Sequence, residues 1–143
     1  MHVAVILKEK GRAVETVRTH ANVMDVARRL AEKRIGAVVV TGPGQEVVGI
    51  VSERDIIRVI GQHGVAALDW SVSEVMTQEV VSCRETDTID QLMSLMTSRR
   101  FRHLPVIDEG ELVGIVSIGD VVKHRVAEVE MEATAMRDYI TTS

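Results

Sequence analysis

The spacing of apolar and polar residues divides the first half of the chain into short strands and amphipathic helices. After a short apolar element of undetermined type in residues 1–13, residues 14–17 form a strand candidate. From Asn22 the apolar side chains recur at helical spacing with charged residues opposite them, which predicts a helix that ends at Gly36. Two apolar runs on either side of a glycine- and proline-containing turn predict neighbouring buried strands, and another helix follows. These elements are expected at residues 37–40, 47–51 and 53–60.

The second half repeats this order of elements. Residues 80–82, 104–107 and 112–116 are predicted strands. Thr88 and Gln91 predict a capping box at the start of the intervening helix, because each side chain can accept a hydrogen bond from the other residue's backbone N–H. The core face of that helix is predicted to consist of Ile89, Leu92, Met93 and Met96.

One seven-residue pattern occurs in both halves, where the last strand of each half meets a helix. The pattern Gly-Ile-Val-Ser-x-x-Asp appears twice, 65 residues apart, and supplies Ser52 with Asp55 and Ser117 with Asp120. Each serine occupies a predicted N-cap, and each aspartate falls in the first turn, where its carboxylate can accept the N-cap residue's own N–H. Capping alone would explain one copy. Two copies at equivalent points indicate a duplicated unit.

The duplication determines the expected fold class and domain organisation. At 143 residues the chain can bury one sizeable core, whereas each half alone would be marginal, so the halves should pack on each other. We predict an α/β (α+β) protein of two tandem units, each a small sheet covered by helices on one face, with a long C-terminal helix. The units are expected at residues 1–62 and 74–124, with a joint at 63–73 and a helical tail at 125–143.

Composition and charge narrow the classes of function. Seventeen basic and 21 acidic residues give a net charge of −4, which argues against a nucleic-acid partner. No apolar run approaches the roughly 20 residues that span a bilayer, and the first residues lack the layout of a signal peptide. Cys83 is the only cysteine, the histidines share no ligand spacing, and no nucleophile–base set is visible. We therefore expect a soluble cytoplasmic protein without a metal site, a membrane partner, catalytic residues or a catalytic cofactor.

The repeated pattern, together with one run in the second half, resembles a known family. Phe-Arg-His-Leu-Pro-Val at residues 101–106 and the two copies of the pattern are similar to a tandem pair of cystathionine-β-synthase-type (CBS) domains, or Bateman module, in its stand-alone bacterial-type form. The first half departs from the family at Val39, where the second half has the usual proline, Pro105. The resemblance implies a disc-like pair related by a pseudo-two-fold axis, with clefts that bind adenosine-containing ligands. Family members usually regulate another protein.

The chemistry of the repeated pattern agrees with that implied ligand. An aspartate can accept hydrogen bonds from two ribose hydroxyls, and a serine at a helix N-terminus favours a phosphate. Arg102 and His103 are expected beside the second motif as phosphate contacts, with Arg54 as a cation for the first. Alternatively, Arg102 and His103 are only the solvated end of a charged run. The candidate nucleotide-binding residues, with apolar side chains holding adenine, are Val14, Ala37, Val38, Ser52, Arg54, Asp55, Thr77, Val80, Arg102, His103, Leu104, Pro105, Ser117 and Asp120.

The residues and the resemblance together favour a regulatory module that senses energy or redox state. AMP is the first expectation for the ligand, followed by ADP, ATP and NAD(H). Binding in clefts between the units would signal to a downstream protein, which the sequence does not identify, through a change in conformation or stability. The alternatives are an S-adenosylmethionine sensor, an enzyme, and a ligand-free structural or nucleic-acid-associated adaptor.

The last predicted helix opens at Ser117 and is longer than closure of a CBS unit requires. Its apolar residues recur at alternating intervals of four and three, which is typical of a heptad seam. Either the helix folds back over its own sheet, or the seam packs against a second molecule. We favour the second option and expect a homodimer in which the short seam supplements a larger interface and does not dimerise the protein alone. The seam consists of Val122, Val126, Val129, Ala133, Met136 and Ile140.

Overall fold

The computed structural model describes residues 1–142, within which it has five α-helices and five β-strands. Two short 3₁₀ turns, Val65–Asp69 and Val72–Glu74, form the joint between the repeats. The predicted α/β class and the long C-terminal helix are confirmed. The helices are α1 (Val3–Lys10), α2 (Val23–Lys33), α3 (Glu53–His63), α4 (Ile89–Arg99) and α5 (Ile118–Thr142), and the strands are β1 (Thr16–Arg18), β2 (Ala37–Thr41), β3 (Val47–Ser52), β4 (His103–Asp108) and β5 (Glu111–Ser117).

The two repeats build related but unequal sheets. In the first unit the strand order is β1-β2-β3, with β1 parallel and β3 antiparallel to β2. In the second unit β4 and β5 form an antiparallel pair, and both antiparallel pairs carry a register shift at the same relative place, next to Val40 and Val106. The antiparallel pair of each unit places its motif serine at the end of the second strand, directly before a helix.

The prediction of a strand at residues 80–82 is wrong. The N–H of Val80 donates to the carbonyl oxygen of Gln78 at 3.0 Å, so the chain turns there and does not extend. Only Cys83 reaches β4, through a single parallel bridge in which its N–H donates to Pro105 O at 3.0 Å and its carbonyl accepts from Ile107 N at 2.9 Å. The second sheet therefore lacks the full third strand that β1 provides in the first.

The end of α2 also differs from the prediction. Arg34, not Gly36, terminates the helix, in the left-handed conformation with φ 55°. Gly36 has a different role, because a Cβ at this position would lie 2.8 Å from Nε2 of His103. The glycine therefore permits the close approach of the two units.

Each hydrophobic core is completed by the segment that precedes the other unit. The N-terminal residues, whose element type the sequence left open, form α1, and its Val3, Ile6 and Leu7 are buried in the core of the second unit. Conversely, Ala67 and Val72 of the joint are buried in the core of the first unit. The expected division assigns residues 1–62 to the first unit, whereas α1 packs in the core of the second unit.

The motif glycines make room for these crossing segments. A Cβ on Gly114 would lie 2.6 Å from Cδ2 of Leu7, which is 1% exposed. A Cβ on Gly49 would lie 2.4 Å from Sδ of Met76, which follows the joint. The glycine of the repeated pattern is thus explained by side-chain packing on the strand, which the sequence pattern did not reveal.

Helix α5 is anchored at its start and exposed beyond it. Val121 and His124 are buried, Arg125 Nε lies 3.2 Å from Asp90 Oδ1, and the amino group of Met1 lies 3.1 Å from Glu128 Oε2. The predicted seam does not fold back over the chain's own sheet, since its apolar side chains face solvent. Their exposed fractions are 43% for Val122, 51% for Val126, 45% for Val129 and 62% for Met136. Within residues 1–142, α5 and the other helices are too short or too polar to cross a bilayer.

Candidate ligand-binding cleft

A cleft of about 210 Å³ lies where the first motif meets the start of the second sheet. One wall is the turn from β3 into α3, and the other is the end of α4 with the first residues of β4. Arg102 and His103 lie beside the second motif, as expected, since His103 pairs with Ser117 across β4 and β5, and their side chains also line this cleft together with the first motif. The lining residues are Ile50, Ser52, Arg54, Asp55, Arg58, Thr77, Arg99, Arg100, Phe101, Arg102 and His103.

The first motif forms the predicted capping box at the N-terminus of α3. Ser52 Oγ accepts from the N–H of Asp55 at 3.3 Å, and Asp55 Oδ2 accepts from the N–H of Ser52 at 2.8 Å and from its hydroxyl at 3.1 Å. Asp55 is 9% exposed, and its other oxygen, Oδ1, accepts from Arg58 at 3.2 Å. The box therefore fixes one oxygen of the carboxylate and leaves the other on the side of an exposed arginine.

The opposite wall carries cations held by the backbone of the α4–β4 connection. Arg100 ends α4 in the left-handed conformation with φ 60°, and Arg99 lies in the last turn. The carbonyl of Arg102 accepts from the N–H of Ile118 at 2.8 Å, which ties this connection to the start of α5. Within residues 1–142 the guanidinium groups of Arg54, Arg99, Arg100 and Arg102 have no ion-pair partner.

His103 lies between the two units, against Gly36. The pKa of His103 is lowered below its ordinary value, mainly by burial and secondly by the Lys10 ammonium. The Glu53 and Asp120 carboxylates act in the opposite direction but do not cancel this effect. The imidazole is therefore mostly neutral near pH 7, and it can give or accept a hydrogen bond without adding a full charge to the cleft.

The second motif forms the same capping box but has a different environment. Asp120 Oδ2 accepts from the N–H of Ser117 at 2.9 Å, and Ser117 Oγ accepts from the N–H of Asp120 at 3.2 Å. Lys10, at the end of α1, donates to the same Oδ2 at 2.6 Å and to the carbonyl of Ile115 at 2.9 Å. Although burial opposes ionisation, the hydrogen bonds from Lys10 and Ser117 lower the pKa of Asp120 below its ordinary value. Neither motif residue lines the cleft.

The apolar residues chosen for adenine contact lie elsewhere. Val38 and Leu104 are fully buried in the cores, and Ala37 and Pro105 are buried beside them. Val80 does not line the cleft. Val14 instead lines a separate surface cavity, with Thr41 and Gln45 among its other lining residues.

Sequence reasoning missed several residues that line the cleft. Ile50 and Phe101 supply its apolar surface, and Arg58, Arg99 and Arg100 add cations. Arg58 follows Asp55 by one helical turn, which the sequence could have shown. The sequence alone does not single out Arg99 and Arg100, because only the tertiary structure brings the end of α4 opposite the first motif.

Cys83 is buried, with 3% of its surface exposed. Burial and the Asp87 carboxylate raise the pKa of its thiol to about 12. Within the described residues no group of three or more histidine, cysteine, aspartate or glutamate side chains is arranged to hold a metal ion.

The fold and the cleft define a class: a tandem-repeat α/β protein whose two units interleave their cores and meet at a polar, arginine-lined cleft. The family model of the CBS domain matches residues 10–62 and 72–127. The chain therefore belongs to the CBS-domain family and is a tandem CBS pair, as the sequence resemblance indicated.

Similar proteins agree with this assignment. The chain is 33% identical to the mitochondrial CBS domain-containing protein CBSX3 of Arabidopsis thaliana, over 94% of this chain and 69% of that protein. The crystal structure of the CBS-domain containing protein ATU1752 from Agrobacterium tumefaciens matches with a TM-score of 0.84 at 48% identity, covering 87% of this chain and 92% of that one. The CBS domain protein PAE2072 from Pyrobaculum aerophilum, solved in complex with AMP, matches with a TM-score of 0.80 at 28% identity, covering 93% and 99%. The chain spans between 35% and 69% of the length of the first curated relatives it matches.

Proposed function

We propose that this protein is a regulatory module that binds an adenosine-containing nucleotide in the cleft at the first motif and signals to another protein. The observation that carries the proposal is the convergence of Ser52, Asp55, Arg102 and His103 on one cleft, although the two pairs lie about 50 residues apart in the sequence. The AMP complex of the 28% identical relative from Pyrobaculum aerophilum supports an adenosine-containing ligand. CBS domains are generally regulatory modules and not catalytic ones.

Each side chain of the cleft has a role in this proposal. Asp55 Oδ1 accepts the ribose hydroxyls, displacing the exposed Arg58 guanidinium from its place at 3.2 Å. The N-terminus of α3 and Arg54 attract the phosphate, because free N–H groups and a cation both favour an anion there. Arg102 can bind the phosphate from the opposite wall, and Ile50 and Phe101 offer apolar contact to the adenine. Thr77 supplies a hydroxyl at the same edge.

The two motifs are proposed to be unequal. Lys10 already occupies the carboxylate of Asp120, whereas Asp55 lies in an open cleft. A nucleotide that used Asp120 would have to displace an ammonium hydrogen-bonded to both the carboxylate and a backbone carbonyl. The cleft at the first motif is therefore the principal binding site. Because residues of both units line it, an occupied cleft would alter how the units are held together.

A pair of matched variants tests the site. Asp55→Ala and Asp120→Ala remove the same capping interaction, but only Asp55 lines the cleft. We expect AMP, ADP or ATP to raise the melting temperature of the wild type and of Asp120→Ala by mass action, and to have little effect on Asp55→Ala. The panel should include NADH, S-adenosylmethionine and adenosine. Absence of any shift at millimolar concentration would contradict the proposal and favour a ligand-free adaptor.

A homodimer formed through α5 completes the proposed function. The helix has 25 residues, which is about 37 Å at 1.5 Å per residue, and its seam side chains Val122, Val126 and Val129 are 43%, 51% and 45% exposed. A second copy of the same helix would bury this seam. A truncation after Glu130 preserves the contacts of Arg125 and Glu128 and removes the end of the seam, and adding Val126→Ser and Val129→Ser disrupts the part that remains. If the truncated chain with both substitutions forms a dimer that is as resistant to dilution as the intact chain, measured by light scattering, the interface lies elsewhere.

A further inference from the structure

We propose that the cleft selects a nucleotide with two or more phosphates over AMP, with Arg99 and Arg100 forming a second phosphate subsite. This inference rests on the proposed function, and it deepens it by naming the ligand class. The subsite lies at the end of α4, opposite the first motif, and its arginines were not among the residues chosen from the sequence.

The charge of the cleft is the first argument. Five of the chain's 13 arginines line it, although the chain as a whole has a net charge of −4. Asp55 is the only carboxylate among the lining residues, and it already pairs with Arg58 at 3.2 Å. The other four guanidinium groups have no ion-pair partner within residues 1–142. Like charges gathered at one cleft repel each other. An anion that neutralises several of these guanidinium groups should therefore bind more tightly than an anion that neutralises fewer of them.

The distribution of these arginines is the second argument. Arg54 follows the Ser52 N-cap on the α3 wall, where the helix N-terminus already favours one phosphate. Arg99 and Arg100 lie on the other wall, and the left-handed backbone of Arg100 fixes where α4 ends. A single phosphate held at the α3 N-terminus leaves the α4 arginines without an anion, whereas a diphosphate or triphosphate chain extends toward them. Guanidinium groups suit this role, because their planar fork binds phosphate oxygens in a bidentate manner.

The same charges exclude one class of ligand. S-Adenosylmethionine carries a positive sulfonium next to its adenosine, and in this cleft that cation would lie among unpaired arginines. Its ribose could still reach Asp55, but that carboxylate already pairs with Arg58, and the ligand's own single carboxylate is outweighed by its sulfonium and ammonium, so the net repulsion remains. We therefore expect no binding of S-adenosylmethionine at concentrations where ADP saturates the cleft.

Calorimetry on the full chain tests the inference, with AMP, ADP, ATP and S-adenosylmethionine titrated in magnesium-free buffer. A charge-assisted hydrogen bond contributes enough for ADP and ATP to bind about 10-fold to 100-fold more tightly than AMP. The double variant Arg99→Gln, Arg100→Asn should lose this preference and keep its affinity for AMP. Glutamine is a good helix former, and asparagine tolerates the left-handed conformation, so the fold should persist. Arg28→Gln removes an exposed arginine outside the cleft and should change nothing.

The outcomes separate the two proposals. Equal affinities of the wild type for AMP and ADP would overturn the second subsite and leave the proposed function standing. Equal losses of AMP and ADP affinity in the double variant would also overturn it, because the two arginines would then act as general positive charge. Failure of every adenine nucleotide to bind would overturn both proposals. Inorganic pyrophosphate should compete with ADP more strongly than inorganic phosphate does, and equal competition would again count against a second subsite.

Discussion

The ion pair between Lys10 and Asp120 joins the first helix to the second motif, and its removal has a calculable effect. The ammonium lies 2.6 Å from the carboxylate and 2.9 Å from the carbonyl oxygen of Ile115. The two side chains are 34% and 24% exposed, so solvent screens the pair. We assign about 0.5–1 kcal/mol to the ion pair and about 1 kcal/mol to the backbone hydrogen bond. Lys10→Gln should therefore lower the free energy of unfolding by about 1–2 kcal/mol.

Urea denaturation and a double-mutant cycle measure this contribution. Asp120→Asn alone removes both the charge and part of the capping box. The coupling energy between Lys10→Gln and Asp120→Asn therefore isolates the ion pair. We expect this coupling energy to be about 0.5–1 kcal/mol. For a chain of this length, each 1 kcal/mol corresponds to about 3–4 °C in melting temperature. Lys8→Gln is the control, because Lys8 lies exposed on the same helix and no described residue pairs with it.

Salt and pH give further checks on the same pair. The coupling energy should decrease as ionic strength rises, because the pair is partly exposed. Since the pKa of Asp120 is lowered in the folded protein, its contribution is present above the ordinary pKa of an aspartate and is lost as the pH falls through the folded value. A coupling energy near zero, or equal stabilities of Lys8→Gln and Lys10→Gln, would refute the view that this pair holds α1 to the second motif.

Three other perturbations have clear expected results. Gly114→Ala should destabilise the fold by about 1–3 kcal/mol in urea titrations, since its Cβ would meet the buried Leu7. Gly49→Ala should destabilise the fold less, because its Cβ would meet the partly exposed Met76. Equal losses of stability in the two variants would contradict this packing account. Cys83 should resist iodoacetamide in the folded protein and react on unfolding, because burial raises the pKa of its thiol to about 12; rapid labelling of the native chain would contradict its burial. The lowered pKa of His103 means that its contribution to stability is present above its ordinary pKa and is lost as the pH falls through the folded value. A His103→Gln variant should lose that part of the pH dependence, measured by thermal unfolding, and an unchanged pH profile would show that another group causes it.

Local sequence patterns determined the helix starts and the strand pairs. Asn22 accepts from the N–H of Asp25 at 2.8 Å, and Thr88 with Gln91 forms the predicted capping box. Both results depend on residues three positions apart, so the sequence contains all the information they need. The heptad spacing of the tail likewise predicted a long helix, and α5 runs from Ile118 to Thr142.

The duplication also made the architecture predictable, because two copies of one pattern required two similar units. It did not predict where the copies differ. Residues 80–82 have the composition of a strand, yet only Cys83 bridges to β4, since the turn at Val80 takes the chain away from the sheet. Strand formation depends on a partner with free backbone groups, and that condition is tertiary.

The tertiary structure alone decided which residues share the cleft. The contact between Lys10 and Asp120 joins residues 110 positions apart, and Leu7 packs on Gly114 across a similar separation. Arg102 directly precedes β4 and His103 is the first residue of that strand, and the packing of the units brings both side chains into the cleft with the first motif. Helical and strand periodicity reports which face of an element is buried and carries no information about which other element covers it. The chemistry of the site could therefore be predicted from Ser52 and Asp55, whereas its second wall is fixed only by how the two interleaved cores pack.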